Sequence, residues 1–322
     1  MMTRGEFAQL MAPGLHHLFV HWLDLLQRDV EYEHIFNMET STKQFEDEVE
    51  FSGLGPMQLK DEGTSVLYQD AIQGGTKRYL HSTFALGCRS SWELYEDDQY
   101  NIIKQVPKAL ARSSVFSREQ QAATVFNNGF SNPGVAGTIN TTDGVGLFNT
   151  QHPLLGGPAA TTVAPGIANI ISAAGTYPNR PTTDVDLSVT ALQLMFNMFR
   201  RMPDSQGMPI IIRPKYLVIP PELKWIAIEI LGSPNKPYTS DNEINALLAE
   251  GLSFFVYTYL TSQSAWYALA DKESHFLKFF NRHMLDQDYA DDFDTRSLKQ
   301  IAWERYSYGA TSWIGVWGSN GP

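Results

Sequence analysis

Asp143-Gly144-Val145-Gly146-Leu147-Phe148-Asn149-Thr150-Gln151-His152-Pro153-Leu154 is the stretch around which this 322-residue chain is organised. Asp-Gly is a strong hairpin-turn signal, because the turn needs positive φ and glycine takes it without steric cost. The stretch lies within residues 131–183, which are dominated by Gly, Pro, Ala, Thr and Asn. Pro158–Thr183 reads as a long surface loop or an extended connection.

Upstream, Pro107–Asn128 reads as a long helix rich in Ala, Gln, Arg and Ser, with Pro107 in its first turn and Asn128-Gly129 as its stop. About 22 helical residues run roughly 33 Å, the length of a strut. Acidic residues Glu96-Asp97-Asp98 suit a preceding helix start. Further back the period is two. Phe45, Val49 and Phe51 among acidic residues read as a strand, with Thr83–Arg89 as its partner. Glycines at Gly53, Gly55, Gly74 and Gly75 frame a mixed middle, which predicts a long projecting hairpin without a core of its own. Residues 1–45 carry Phe7, Leu10, Leu18, Phe19, Trp22, Leu25 and Leu26 but show no long helix period. A short helix around Leu15–Gln27 is expected, either as an arm on another subunit or as a loosely docked helix.

Downstream, Asp186 is a candidate cap for a helix with Leu192, Met195, Phe196 and Phe199 at i, i+3, i+4, i+7. Pro209–Ile212 and Tyr216–Ile219 read as short buried strands. Pro220-Pro221 opens a helix carrying Trp225, Ile226, Ile230 and Leu231. A short helix at Glu243–Glu250 and strands at Leu252–Tyr259 and Ala265–Ala270 follow. Phe276–Phe280, Arg296–Tyr306 and Ala310–Trp317 are alternating, aromatic strand patterns. Strands and helices mix without regular βαβ alternation, so the fold class is α+β.

Hydrophobic residues make up 43% of the chain and charged residues 18%, against roughly 25% charged in an average soluble protein. A shortage of charge suits a subunit largely covered by neighbours. The net charge of -11 argues against tight grip on a phosphate backbone and suits a wall beside nucleic acid. With Cys88 as the only cysteine, an internal disulfide framework and a thiolate metal site are excluded. No run of 18 apolar residues predicts a membrane span, and His16, His17 and His21 interrupt any leader-like apolar region. The chain is expected to act inside the cell that makes it.

Nucleotide-binding glycine loops, a nucleophile elbow and H-E-x-x-H are all absent from the sequence. His17 and His21 stand at i, i+4, with Asp24, Glu31, Glu33 and His34 further on, a loose metal-ligand spacing better read as packing or solvent-facing histidines. Asp286–Asp294 resembles a calcium loop but lacks its glycine at position six, and Ser297 stands where a glutamate is needed, so an acidic turn is expected. Cys88 with His81 or His152 is a conceivable nucleophile pair, though an alternating strand suits a small buried side chain. Glu31 with Glu33, and Asp97 with Asp98, are spaced as surface charge. No catalytic, cofactor-binding or metal residue is expected, and no enzymatic activity.

The order of these parts resembles the major capsid protein of tailed bacteriophages, with the Hong Kong 97 fold. Asp143 to Leu154 is similar to the D-G-x-x-L-F-x-T-x-H-P stretch of Mu-like head subunits. Gly53-Leu54-Gly55-Pro56-Met57 and Tyr216-Leu217-Val218-Ile219-Pro220-Pro221-Glu222-Leu223 are similar to motifs of the same group. The resemblance implies an N-terminal arm at 1–45 and a first part of the peripheral domain at 46–154. That part would hold an extended loop at about 50–82 and a spine helix at about 107–128. It further implies an axial domain at 155–270 and a return to the peripheral domain at 271–322.

The function so implied is self-assembly, through pentamers and hexamers, into an icosahedral shell enclosing double-stranded DNA without sequence-specific contacts. The implied location is the virion capsid, assembled in the host cytoplasm. A portal protein is the implied partner, together with a decoration protein and no membrane. The hairpin arrives by about residue 50, so scaffolding is expected from a separate protein. Lys60, Lys77 and several asparagines mark no isopeptide pair, so no covalent cross-link is expected. The alternative is an encapsulin-type nanocompartment shell enclosing cargo enzymes; members of that group tend to carry an N-terminal helix. A hydrolase with a lone catalytic Cys or Asp is the reading from a different class.

Overall fold

A computed structural model describes residues 6–51, 73–91, 104–131, 139–154, 176–204, 207–237, 243–292 and 297–321. It also describes 53, 54, 57, 59–66, 68, 70, 93, 94, 97, 137, 294 and 295. In chain order the elements are α1 (Glu6–Gln27), α2 (Tyr32–Ile35), β1 (Asn37–Thr40), β2 (Phe45–Phe51), β3 (Gln73–Leu80), β4 (Ser82–Ser91) and α3 (Gln105–Asn127). They continue with β5 (His152–Pro153), β6 (Thr176–Tyr177), α4 (Val189–Arg200), β7 (Tyr216–Ile219) and α5 (Lys224–Gly232). The last are β8 (Ser253–Val256), β9 (Trp266–Leu269), β10 (Leu277–Asp292), β11 (Ser297–Ala310) and β12 (Val316–Ser319). Single turns of 3₁₀ helix at Pro221–Leu223 and Ala246–Glu250 flank α5 and β8.

The chain divides into two compact units. The first comprises Met1–Glu46, Tyr79–Ala122 and Phe279–Tyr308; the second comprises Asp47–Arg78, Ala123–Lys278 and Gly309–Pro322.

The first unit is built on the sheet β1-β10-β11-β4. β11 runs antiparallel to β4, pairing Gln300 with Cys88 and Ile301 with Gly87. α1 is far longer than expected, and it does have something to pack against. Phe19 is buried with Leu110, Ala111 and Ala302, and Trp22, Leu23 and Leu26 close the cluster. The residues at 15, 19, 22, 23 and 26 carry the helical period that a scan of the whole segment blurred.

A buried polar group ties the next segment to α3. The Glu119 carboxylate accepts the backbone N–H groups of Glu31 (2.5 Å) and Tyr32 (3.3 Å). Arg118 donates to Glu304 at 2.5 Å and to the Tyr32 hydroxyl at 3.3 Å. Burial raises the Glu304 carboxyl above its usual range despite Arg118, and pushes the Tyr32 phenol up to about 12. Charges buried this deeply persist only when paired.

The second unit holds the sheet β12-β9-β7-β8, in which β7 and β8 are parallel and the other pairs antiparallel. α4 lays Leu192, Met195, Phe196 and Phe199 into a core with Trp266, Trp313 and Trp317. Its cap is Ser188, whose hydroxyl accepts the Ala191 N–H at 3.2 Å, and not Asp186. Ser188 stands directly before the first helical residue, where a side-chain oxygen reaches the free N–H groups.

Three further expectations are corrected. β2 pairs with β3, while Thr83–Arg89 falls in β4 and pairs with β11. Pro209–Ile212 forms no strand, because prolines at 203, 209 and 214 deprive that stretch of ladder donors; only Pro203 and Pro209 make an isolated bridge. Asp286–Asp292 is the end of strand β10 rather than an acidic turn. The three C-terminal strand patterns are all strands, as expected, with β10 and β11 beside β1 and β4 and β12 paired with β9. Much of the Pro158–Thr183 connection and the residue Asp98 lie outside the described residues.

Candidate functional site

The Asp143–Leu154 word folds into a buried polar knot in the second unit. Asp143 and Gly144 make the turn, with Gly144 at φ 79° and an antiparallel bridge between Asn140 and Gly146. The Asp143 carboxylate accepts from Thr141, from the Val145 N–H at 3.0 Å and from His152 Nδ1 at 2.7 Å. Asn179 completes the knot. Its Oδ1 accepts the Asn149 N–H at 2.9 Å, and its Nδ2 donates to the Leu147 carbonyl at 2.7 Å. That fixes the amide, so Oδ1 is also the acceptor facing His152 Nε2 at 3.1 Å.

Both ring nitrogens of His152 therefore face acceptors, and the ring is fully buried. It stacks on Trp313, with centroids 4.9 Å apart, and Trp313 stacks in turn on Tyr177. Burial would raise the Asp143 carboxyl, but the hydrogen bond and charge of His152, with Thr141 and the Val145 N–H, hold it below its usual range. The side chains of Asp143, His152 and Asn179 are committed to holding the loop. No exposed acid, base or nucleophile remains in the knot to act on a substrate.

The hairpin β2–β3 stands against this knot with its faces inverted. Side chains alternate along a strand, and Glu48 and Glu50 face the body while Val49 and Phe51 face out. Glu48 accepts from Thr311 at 2.7 Å and pairs with Lys278. Glu50 accepts from the Thr142 hydroxyl at 2.8 Å, and Lys77 on β3 donates to the Asn140 carbonyl at 2.7 Å. Beyond the strands the loop carries Leu54, Val66 and Tyr68 exposed, with Met57 at 103% and Leu59 at 95% exposure. Large apolar side chains gathered on one projecting element mark an interaction surface.

The residues singled out as possible chemistry do not converge. His17 and His21 are exposed on α1, and Asp24 pairs with Arg28. Among the described residues no group of three His, Cys, Asp or Glu is arranged to hold a metal ion. Asp288 accepts from the Trp303 indole, and Asp292 pairs with Arg89 and Lys299. Cys88 is half-buried in β4. His81 precedes β4 by one residue, so about seven residues of extended chain put it roughly 23 Å from Cys88. Its ring is held between Ser41 and Ser307. His152 is spent in the knot. The sequence signal for the inverted face of β2 is the alternation of acids at 46, 48 and 50 with Val49 and Phe51, which the hydrophobic period alone does not resolve.

The described residues form an α+β subunit with a long helix and an exposed apolar hairpin, and among them no reactive site is assembled. The chain belongs to the phage capsid protein family, whose model matches residues 75–318. Among solved structures it is similar to the capsid of the cyanophage P-SCSP1u, with a TM-score of 0.54 and 10% identity, over 89% of this chain and 86% of that one. Mycobacterium phage Che8 gives a TM-score of 0.54 and 10% identity over 90% of each chain. Microbacterium phage Oxtober96 gives 0.51 and 9% over 87% and 84%. A search of curated protein sequences finds no match. The fold is that of Hong Kong 97 capsids. The chain is a phage capsid protein, a structural component of the phage shell.

Proposed function

We propose that the chain assembles through pentamers and hexamers into a head enclosing double-stranded DNA, with its hairpin laid over the neighbouring subunit. The observation that carries this is the outward apolar face of the hairpin, from Val49 and Phe51 to Met57, Leu59 and Tyr68. Full burial of such side chains is worth about 2 kcal/mol each. Repeated around a closed shell, such contacts stabilise an assembly whose single copies would associate weakly. The net charge of -11 suits an inner wall that does not bind the packaged DNA tightly.

In this reading residues 1–45 are the N-terminal arm, presenting Val20 to a neighbour, and 46–154 open the peripheral domain with its extended loop and spine helix. Residues 155–270 form the axial domain about the symmetry axes, and 271–322 return to the peripheral domain. The Asp143–Leu154 wording supports membership of the Mu-like group of head subunits. A separate scaffolding protein, a portal protein and a decoration protein complete the assembly in the host cytoplasm. The subunits remain free of covalent cross-links, and no residue serves as a catalytic, cofactor or metal site.

The nanocompartment reading has one observation in its favour, the N-terminal helix Glu6–Gln27. Negative-stain electron microscopy with light scattering tests the proposal on the purified chain. Closed shells, tubes or capsomer rings support it, and a uniform small oligomer with scaffold supplied contradicts it. Shells from infected cells that contain enzyme cargo in place of nucleic acid favour the compartment.

A further inference from the structure

The base of the hairpin is held by a polar rack with two points of attachment, both within the second unit. At the first, Glu48 is gripped by Thr311 and Lys278, and the Thr311 carbonyl in turn accepts the Thr142 N–H at 2.9 Å. At the second, Glu50, Gly75 and Lys77 meet the loop 140–142. Gly75 approaches so closely that a Cβ built on it would stand 1.8 Å from the Thr142 carbonyl oxygen. No other residue fits there without moving strand β3 away from the turn. Thr142 is thus held from four sides, by Glu50, Gly75, Thr311 and the Asp143 turn, and the turn is pinned from below by buried His152 and Asn179.

We propose that Glu50, Gly75 and Thr142 form a joint that fixes the direction in which the hairpin projects, with the His152 knot as its rigid seat. The word Asp143–Pro153 is then a positioning device for assembly, acting through the hairpin and never touching the neighbouring copy. Apolar contacts at Met57 and Leu59 lie far along the loop, so a small rotation at its base displaces them by a large arc. A direction set by the polar contacts of Glu48, Glu50 and Lys77 and by the close approach of Gly75 converts the same apolar surface into one reproducible curvature. The inference rests on the hairpin being the neighbour-reaching element.

The joint also carries charge. Burial holds the Glu50 carboxyl above its usual range, with the Thr142 hydrogen bond opposing this and the Asp143 carboxylate adding to it. The charged groups around Glu50 are Asp143 and His152 from the knot, Lys77 from β3 and Glu48 on its own strand. Protonating Glu50 relieves the cost of burying its carboxylate first and the repulsion from Asp143 second, and these outweigh the preference of the Thr142 hydrogen bond and of His152 for the ionised form. The joint is therefore tighter at lower pH.

Spin labels at Ser65→Cys on the loop and Ser253→Cys on β8, in a Cys88→Ser background, report the hairpin's direction in the dilute, unassembled subunit. Thr142→Val and Gly75→Ala are expected to broaden the distance distribution at least twofold and to lower the yield of regular shells about tenfold. The outward-facing control Thr76→Ala leaves both unchanged. The wild-type distribution narrows as pH falls, and Glu50→Gln removes that dependence. Distances unchanged in both variants, or a pH response that survives Glu50→Gln, overturn the joint. Broadened distances with undiminished regular shells overturn its role in assembly. If the wild-type chain forms no shell under any condition while the distances still broaden, the assembly reading fails and the joint stands.

Discussion

The knot around His152 and the hairpin beyond Phe51 meet at Thr142, yet they satisfy their side chains in opposite ways. In the knot Asp143, His152 and Asn179 are matched inside the subunit, down to the orientation of the Asn179 amide. On the hairpin strands Glu48, Glu50 and Lys77 are matched, while Val49, Phe51 and the large apolar residues of the loop are left in solvent. The contrast separates what the subunit needs to fold from what it holds for another copy. Changes in the knot should act on subunit stability. Changes on the hairpin should act on assembly and leave the isolated subunit intact.

The largest test of this contrast removes the hairpin tip. Replacing residues 53–71 by an Asn-Gly turn should leave the melting temperature of the unassembled subunit within a few degrees, while shell yield by light scattering falls more than a hundredfold. For His152→Ala subunit stability is expected to fall first, and shell regularity with it through the loosened seat of the hairpin. The substitution leaves Asp143 buried without its partner, at a cost of about 3–5 kcal/mol, read as a shift in the denaturant midpoint of the second unit. A loss of assembly without that shift would erase the distinction between the two regions.

Much of this was legible in sequence, and the errors share a physical origin. The α3 helix, the α4 face and the Asp143-Gly144 turn follow from local periodicity and φ preference, which act over a few residues. Strand partners do not. Phe45–Phe51 could pair with any nearby strand pattern, and nothing local distinguishes Gln73–Leu80 from Thr83–Arg89. The acidic run Asp286–Asp292 looks like a turn by composition, but its Asp288 and Asp292 are satisfied by Trp303 and Lys299 on the following strand and by Arg89 about two hundred residues back. The candidate surface was foreseen as a coreless hairpin. Which face it presents depended on partners such as Thr142 and Thr311 that no local pattern names.

A smaller effect sharpens the contrast through pH. Burial lowers the His275 ring to about 4, so the folded second unit holds it neutral while the unfolded ring titrates near 6.5. Its contribution is intact above pH 6.5 and is lost as pH falls towards 4, by about 3 kcal/mol in total. Denaturant titrations across that window should show the loss, and His275→Gln should flatten it by that amount. Smallest of all, Met57→Ser with Leu59→Ser should leave subunit stability within about 0.5 kcal/mol and reduce shell yield about tenfold.

The central claim is that the exposed apolar hairpin is covered by a neighbouring copy in the finished shell. A cryo-electron microscopy reconstruction of assembled particles tests it directly. The account predicts Phe51, Met57 and Leu59 buried against an adjacent subunit, with Glu50 and Thr142 still in contact at the hairpin base. A closed shell in which those three side chains face solvent would contradict it.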